Sequence, residues 1–501
     1  MGSANQPTEN KKKASKTTIY IVVAVVVIII VAAAAVSIYY EHKPTTTTSP
    51  PAKRVTITVW GSGSAGGEAQ AFNETLASFE AQYPNITVKD SPAINVASTT
   101  FPTAAHAHDA PDVYRDTSDN GGALYTAGLL LNLTPYLNSS YINEFTKGTI
   151  TDWTINGSIY GVPVNTNGIA LYYNKALVPN GQPPSTLYQM IRDAENVTAM
   201  GSGYYGLAYG IGNDYGYRFA AFFPAFGGQI FNSSLYPVVN SSQDIAAMSF
   251  VWNWTVKYHV DTVGLTFSDE QSLFESGKSA FMFDGPWDQS IYEKALGSNL
   301  GVAPIPFNNA TGLWPEPLWG SVGYVIASPQ ASGANASQIW ASLKFVEYMT
   351  NFNSQVLLFK LAGDLPSMVS VGSYIETHNF NDTLITGWIQ QESHTQLFPN
   401  FPQMAAYWTP FHVGATNLEQ NSSKVTVAQV MNQIEALMIQ TLKSEGIPLS
   451  IVSLSIMPKG LLPSMIPLTI VPVHTSAYES MFASFISTNV ASAVDKILFI
   501  F

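Results

Sequence analysis

Hydrophobic and polar positions divide this 501-residue chain into four parts. Residues 17–40 (TTIYIVVAVVVIIIVAAAAVSIYY) form a run of 24 uncharged, largely apolar residues. As a helix they would extend roughly 36 Å, enough for a bilayer and longer than a signal-peptide core of about 7–15 residues. A Thr/Pro stretch follows. From residue 53 to about 445 short apolar runs alternate with segments of helical period. VTITVW (55–60) alternates as a strand, residues 68–83 carry a helical pattern and 86–89 read as a second strand, which is a βαβ opening. Residues 112–114 continue the strands, and 159–163 with 170–173 form another pair. No internal repeat is visible, so the expected class is α/β with helices on the sheet faces.

The most informative stretch is 268–287, SDEQSLFESGKSAFMFDGPW. Ser268 with Gln271 reads as a capping box, Leu273 and Phe274 as the apolar face, and Gly277 as the left-handed residue that stops the helix. SAFMF (279–283) reads as a strand buried on both faces, and Asp284-Gly285-Pro286 breaks it. Trp287 is thereby delivered beyond a strand's carboxyl end, where ligands gather in open α/β sheets. On that stretch alone, Trp287 serves equally well as a core residue. Beyond residue 446 the pattern changes. Five prolines prevent 447–473 from forming a regular membrane helix, and 476–501 has the pattern of an amphipathic helix. No role attaches to this tail.

Length and 46 % apolar residues allow at least two cores. Charged residues are only 11 %, so the surface relies on amides and hydroxyls, which keep their solvation where carboxylates protonate; an acidic habitat is the resulting hypothesis. The net charge of −12 argues against a nucleic-acid partner, which needs a concentrated basic surface. Zero cysteines exclude disulfides, thiolate metal sites, a cysteine nucleophile and a cysteine-linked lipid anchor. Lys11, Lys12, Lys13 and Lys16 precede the apolar run and should stay inside the cell, placing the rest outside. Two processing variants stay open, cleavage near residues 32–35 and a prepilin-like site at Lys13-Ala14. PTTTTSPPA (44–52) reads as a stalk. Thirteen of 32 asparagines stand in glycosylation sequons, where about a sixth would by chance. They are Asn73, Asn85, Asn132, Asn138, Asn156, Asn196, Asn232, Asn240, Asn253, Asn309, Asn335, Asn381 and Asn421.

Several motifs compete for a chemical role. Gly61-Ser62-Gly63-Ser64-Ala65-Gly66 matches GxGxxG between a strand and a helix, with Asp90 ending the next strand, the layout of a dinucleotide site. An extracytoplasmic domain meets no nicotinamide pool, so a loop offering amides and the Ser64 hydroxyl to a neutral polyol is the better reading. His106, His108 and Asp109 begin a metal pattern that nothing completes, so neither a metal nor a cofactor is expected. GxSxG is absent. Asp284 and Asp288 are candidates for a glycosidase pair, which requires two carboxyls on opposite sides of one bond. Aromatic and polar residues recur together at Asp116, Asp119 and Asn120, at Tyr215 and Tyr217, and at Trp287, Trp319 and Tyr407-Trp408. Pyranose rings present C–H faces to aromatic planes and hydroxyls to amides and carboxylates, so the combination suits carbohydrate.

Ordered segments over residues 53–445 resemble the extracellular solute-binding proteins of ABC importers, the maltose-binding-protein family. APDVYRDTSDNGG and AGLLLNLTPYL (110–137) look like its first ligand loop and following helix, and GVPVNTNGIALYYNKAL (161–177) like its first interlobe crossing. FESGKSAFMFDGPW is similar to its second-lobe signature, and FPNFPQMAAYW (398–408) to a maltodextrin-branch segment. The resemblance implies a two-lobe, type II binding-protein fold: lobe 1 from 53–165 and 308–357, lobe 2 from 170–301 and 365–445, with crossings near 165–170, 302–307 and 357–364. It implies an oligosaccharide trapped without chemical change, permease and ATPase partners, and a monomeric soluble domain on the anchor 17–40, behind the cytoplasmic head 1–16 and stalk 41–52. Trp287, Tyr217 and Trp408 become stacking residues and Asp119, with Asp116 and Asn120, hydroxyl partners. Asp116 replaces an aromatic of the maltose-binding pattern, Asn120 an arginine, Asn167 and Tyr215 carboxylates, and Thr409 an aromatic, so the sugar family is implied more firmly than maltose. The span and stalk resemble archaeal members. A membrane-anchored glycoside hydrolase and an S-layer-like adhesive protein are the alternatives.

Overall fold

In the computed structural model Val55–Trp60 is the strand its alternation predicts, with Val55, Ile57 and Val59 buried and Thr56 exposed. The structure describes residues 54–61, 66–91, 100–378 and 383–449. The basic head, apolar run, stalk, Ser64, the Asn381 sequon and the tail from residue 450 lie outside the described residues. No described helix is long and apolar enough to cross a membrane.

Two sheets organise the chain. The first has the order Leu365–Pro366, Gly161–Asn167, Leu318–Ile326, Val113–Thr117, Val55–Trp60, Ile86–Ser91, with Gln396–Leu397 added beside Leu318 and Trp319. Val55–Trp60 runs parallel to both its neighbours, and Leu318–Ile326 is antiparallel to Val113–Thr117 and Gly161–Asn167. The second sheet has the order Leu300–Ala303, Ala170–Asn174, Ser279–Asp284, Tyr205–Ala208. Each has its own apolar core. Val55, Ile57, Phe79, Val162, Phe345 and Val371 fill one, and Leu171, Leu207, Phe222, Trp254, Phe281 and Phe283 the other. This is the two-lobe α/β arrangement expected.

Local details differ from expectation in instructive ways. Residues 159–163 and 170–173 do not pair with each other: Gly161–Asn167 belongs to the first sheet and Ala170–Asn174 to the second. Only Gly168 and Ile169 separate them, too few for a reversal that leaves each strand a separate sheet, so the chain crosses between the lobes extended. Leu365–Pro366 pairs with Thr166 and Asn165 of the first sheet, and Val371 and Ile375 of the next helix, Val369–Thr377, enter the first core. Residues 365–377 therefore stay with lobe 1. After residue 365 the chain returns to the second sheet with helix Thr383–Glu392, its Leu384 and Trp388 packed with Tyr172 and Val302. Residues 308–316 also lean on lobe 2, through Asn308 Nδ2 to Ala225 O at 2.9 Å and Glu316 N to Ala221 O at 2.9 Å.

The capping box before the key strand is shifted by two residues. Thr266, not Ser268, is the N-cap of helix Phe267–Glu275; its hydroxyl accepts from Asp269 N at 3.2 Å, and Asp269 accepts from Thr266 N at 2.9 Å. Such caps contribute about 1 kcal/mol. A carboxylate three residues after a threonine meets the same geometric need as Gln after Ser, so two overlapping boxes competed. Gln271 is thereby released to face Asp288. Gly277 adopts φ 71° at the helix stop, and every residue of Ser279–Asp284 is buried, as expected.

Candidate functional site

The strand Ser279–Asp284 ends in a braced turn. Asp284, 1 % exposed, accepts from Gly285 N at 2.8 Å and from the Tyr292 hydroxyl at 2.5 Å, while the Tyr172 hydroxyl donates to Gly285 O at 2.9 Å. The turn Pro286–Asp288 then carries Trp287, half-buried, with its indole folded over Gly285; a Cβ there would lie 2.1 Å from the ring. Burial and neighbouring Asp288 hold the Asp284 carboxyl well above the usual range, and burial, with Glu68 nearby, raises Asp288 to about 6. Asp284 and Asp288 are close enough to act on each other electrostatically, and Asp288 accepts from Gln271 Nε2 at 2.9 Å. Two carboxyls side by side in one short turn are poorly placed to flank a scissile bond from opposite sides.

Tyr217 is held by a second brace. Asp214 accepts from Gly216 N at 2.8 Å, Phe219 N at 3.0 Å and the Tyr209 hydroxyl at 2.7 Å. Gly216, at φ 96°, lies against the Tyr407 ring, whose hydroxyl donates to Gly216 O at 3.1 Å. These bonds fix the bend that sends Tyr217 towards Trp287, with ring centroids 6.4 Å apart. The rings continue: Tyr217 lies 5.7 Å from Phe398, and Phe398 lies 6.0 Å from Trp408 at 79°. Trp408 sits in the first turn of helix Ala405–Asn421, beside the Asp119 carboxyl. Its indole has one donor, Nε1.

Asp119 comes from the other lobe, in the turn Ser118–Asn120 after strand Val113–Thr117. Burial lifts its carboxyl to about 6, against the opposing pull of the Thr117 and Trp408 donors. Asp116, on the strand, accepts from Thr117 N at 2.8 Å and Asn120 Nδ2 at 2.9 Å. Trp287, Tyr217, Trp408, Asp119, Asp116 and Asn120 thus form one connected set. The Tyr217 hydroxyl, Asp119 Oδ1 and Asp116 Oδ2 are buried without a hydrogen-bond partner, a costly state for a fold to keep unless something else satisfies them.

The remaining expected residues divide. Asn167 ends the strand at the crossing, opposite Gly320, with Oδ1 buried and unpartnered. Trp319 is 8 % exposed and packs on Gly168, where a Cβ would lie 2.0 Å from its ring, and 6.4 Å from Trp388. It seals the crossing and leaves only Nε1 unpartnered. Tyr215 stands outside the row: 53 % exposed, it stacks on His412 at 4.1 Å and 6°. Ser64 lies outside the described residues. His108 Nδ1 bonds to Gln330 O at 2.5 Å, and among the described residues no group of three or more His, Asp or Glu is arranged to hold a metal.

Two features escaped the sequence reading. Phe398 bridges Tyr217 and Trp408; it lies in a segment that was legible, but nothing distinguished it from a core phenylalanine. Glu68 and Arg115 form a buried ion pair of 2.5 Å beside Asp364, 1 % exposed, although 47 residues separate the pair.

Residues 74–380 match the family model described as bacterial extracellular solute-binding protein. The chain is 26 % identical over 347 residues to the maltotriose-binding protein of Pyrococcus abyssi, covering 68 % of this chain and 72 % of that one. It is 28 % identical over 312 residues to the maltooligosaccharide ABC transporter solute-binding lipoprotein of Streptococcus pneumoniae, covering 60 % and 70 %. Among solved structures, the maltose/maltodextrin-binding domain of Bdellovibrio bacteriovorus bound to maltotriose matches with TM-score 0.71 and 23 % identity, covering 78 % of this chain and 100 % of that one. The last likeness shows the fold. By the extent of the family match, this chain belongs to the bacterial extracellular solute-binding proteins, a family of binding proteins and not of enzymes.

Proposed function

We propose that this chain captures a maltodextrin-like oligosaccharide outside the cell and presents it to the permease and ATPase of an ABC importer. The observation that carries the reading is the row Trp287, Tyr217, Phe398, Trp408, ending on Asp119 from the opposite lobe. Pyranose rings stack on such planes, and their hydroxyls satisfy the buried oxygens of Asp119, Asp116 and Tyr217. Asp284 and Asp288, the candidate glycosidase pair, stand side by side in one turn and do not oppose each other, which supports a sugar that leaves as it entered. Because the rings belong mainly to lobe 2 and the acids to lobe 1, a ligand touching both favours the closed arrangement by its differential affinity. The names of the relatives support the choice of ligand and transporter.

The further reading is a tether: residues 17–40 span the membrane, Lys11, Lys12, Lys13 and Lys16 hold the head inside, and the stalk lifts the lobes outward. None of the twelve described sequon asparagines is fully buried, which suits glycosylation on that outer side. Calorimetric titration with a panel of oligosaccharides tests the binding function, and alkaline extraction of membranes tests the tether. Saturable binding of α-linked glucose oligomers and retention in the membrane are expected; silence across the panel, or release into the wash, contradicts the corresponding part.

A further inference from the structure

Asp116 and Asp119 lie where strand Val113–Thr117 runs into the turn Ser118–Asn120, and they are 5 % and 6 % exposed. One oxygen of Asp116 is already fully used, since Oδ1 accepts from Thr117 N and Asn120 Nδ2. Oδ2 is buried with no partner. Asp119 is likewise buried and leaves Oδ1 without a partner, so each acid keeps one oxygen that nothing in the fold satisfies.

Among the described residues no cation faces this pair. The flanking strands Val55–Trp60 and Leu318–Ile326 and the following helix Gly121–Thr126 carry no charged side chain. Arg115, next on the strand, is bonded to Glu68, and Asp112 is bonded to Thr58. Asp152, held by Ser321, adds another acid, and the Tyr217 hydroxyl is the remaining titratable neighbour of Asp119. None of the ion pairs among the described residues includes Asp116 or Asp119. Two buried carboxyls this close and without a cation do not both ionise; the pair keeps a proton. Because Asp116 Oδ1 is occupied by two donors, its proton belongs on the unpartnered Oδ2, and burial with the neighbouring Asp119 holds Asp116 well above the usual carboxylate range.

We propose that Asp116 stands in the ligand site as a neutral carboxylic acid whose Oδ2–H donates to an oxygen of the bound sugar, beside the accepting carboxylate of Asp119. The assignment rests on the sugar-binding reading above. It makes the acid pair a reader of two neighbouring ligand oxygens, one required as acceptor and one as donor, where the maltose-binding pattern places an aromatic ring. It also links affinity to a proton.

The test compares wild type and Asp116→Asn, which keeps the Oδ1 acceptor and supplies an N–H in place of the O–H. Affinity for a maltodextrin is measured by calorimetry from acid to alkaline pH, and the infrared carboxyl band of the unliganded proteins is recorded near neutrality. Wild-type affinity should fall as pH rises above the pair's titration, approaching tenfold per pH unit, the limit for one linked proton. Asp116→Asn should bind with a flat profile and lack a protonated-carboxyl band present in wild type. Wild type that binds sugar with a flat profile, or identical bands in the two proteins, overturns the assignment and leaves the sugar reading intact. Absence of sugar binding at every pH overturns both.

Discussion

The Trp408 side chain stands beside the Asp119 carboxyl, bringing the first turn of helix Ala405–Asn421 to the end of a strand in the opposite lobe. The contact ties an aromatic plane to a buried carboxylate whose second oxygen has no partner. A ring for the apolar face of a pyranose and an acceptor for its hydroxyl are thus fixed to each other.

Trp287→Ala removes the platform at the far end of the row, where the indole is half-buried and touches no other lobe-2 core ring more closely than Tyr217 at 6.4 Å. Oligosaccharide affinity should weaken by about 1–3 kcal/mol, the scale of one aromatic contact, with the thermal midpoint nearly unchanged. Titration calorimetry and a melting curve check the two halves. Unchanged affinity would assign Trp287 to the core.

Gly285→Ala attacks the same ring from beneath. The added methyl would meet the indole at 2.1 Å, so the ring must swing away. Overpacking costs about 1–3 kcal/mol of stability, and affinity should fall to the level of Trp287→Ala, because the plane is displaced even though the tryptophan remains. Fluorescence of the single-site variants with and without sugar reads the displacement.

Arg115→Met breaks the buried pair with Glu68 and leaves both Glu68 and Asp364 without their cation. A loss of about 3–5 kcal/mol is expected, measured by denaturant unfolding near neutral pH, with partial recovery in the double variant that also carries Glu68→Gln.

Stability should fall between mildly acidic and neutral pH. Burial raises Asp119 to about 6 and Asp152, Asp244 and Asp261 each to about 7. Across the window from about 4, where an unfolded aspartate titrates, to 7, the folded state holds more protons than the unfolded state. The slope of unfolding free energy with pH is then negative. Their stabilisation is complete below about pH 4 and lost as pH rises through 6 to 7, so melting temperature should peak on the acid side. A midpoint that climbs steadily from pH 4 to 7 would contradict this.

What could be read in the residues was local pattern. SAFMF, Gly277 and Trp287 announced a buried strand, a left-handed stop and a delivered ring because each depends on neighbours within a few positions. The capping box was misplaced because Thr266–Asp269 and Ser268–Gln271 satisfy the same rule, and only the hydrogen bonds choose between them. Residues 365–377 stay with the first sheet for a reason no local pattern carries, the pairing of Leu365 with Thr166 across about 200 positions. Tyr215 and Tyr217 are two apart and look equivalent, yet the bend fixed by Asp214 and Gly216 sends one ring into the row and the other out to His412. Phe398 could not be told from a core residue, since its role depends on which rings stand on either side.

The most direct test of the whole account is calorimetric titration of the protein with maltotriose and longer maltodextrins, with reducing ends assayed in the same samples. Saturable binding of one oligosaccharide per chain, weakened by Trp287→Ala and leaving the sugar intact, is the predicted result. No saturable heat with any oligosaccharide, or a steady release of reducing ends, would contradict it.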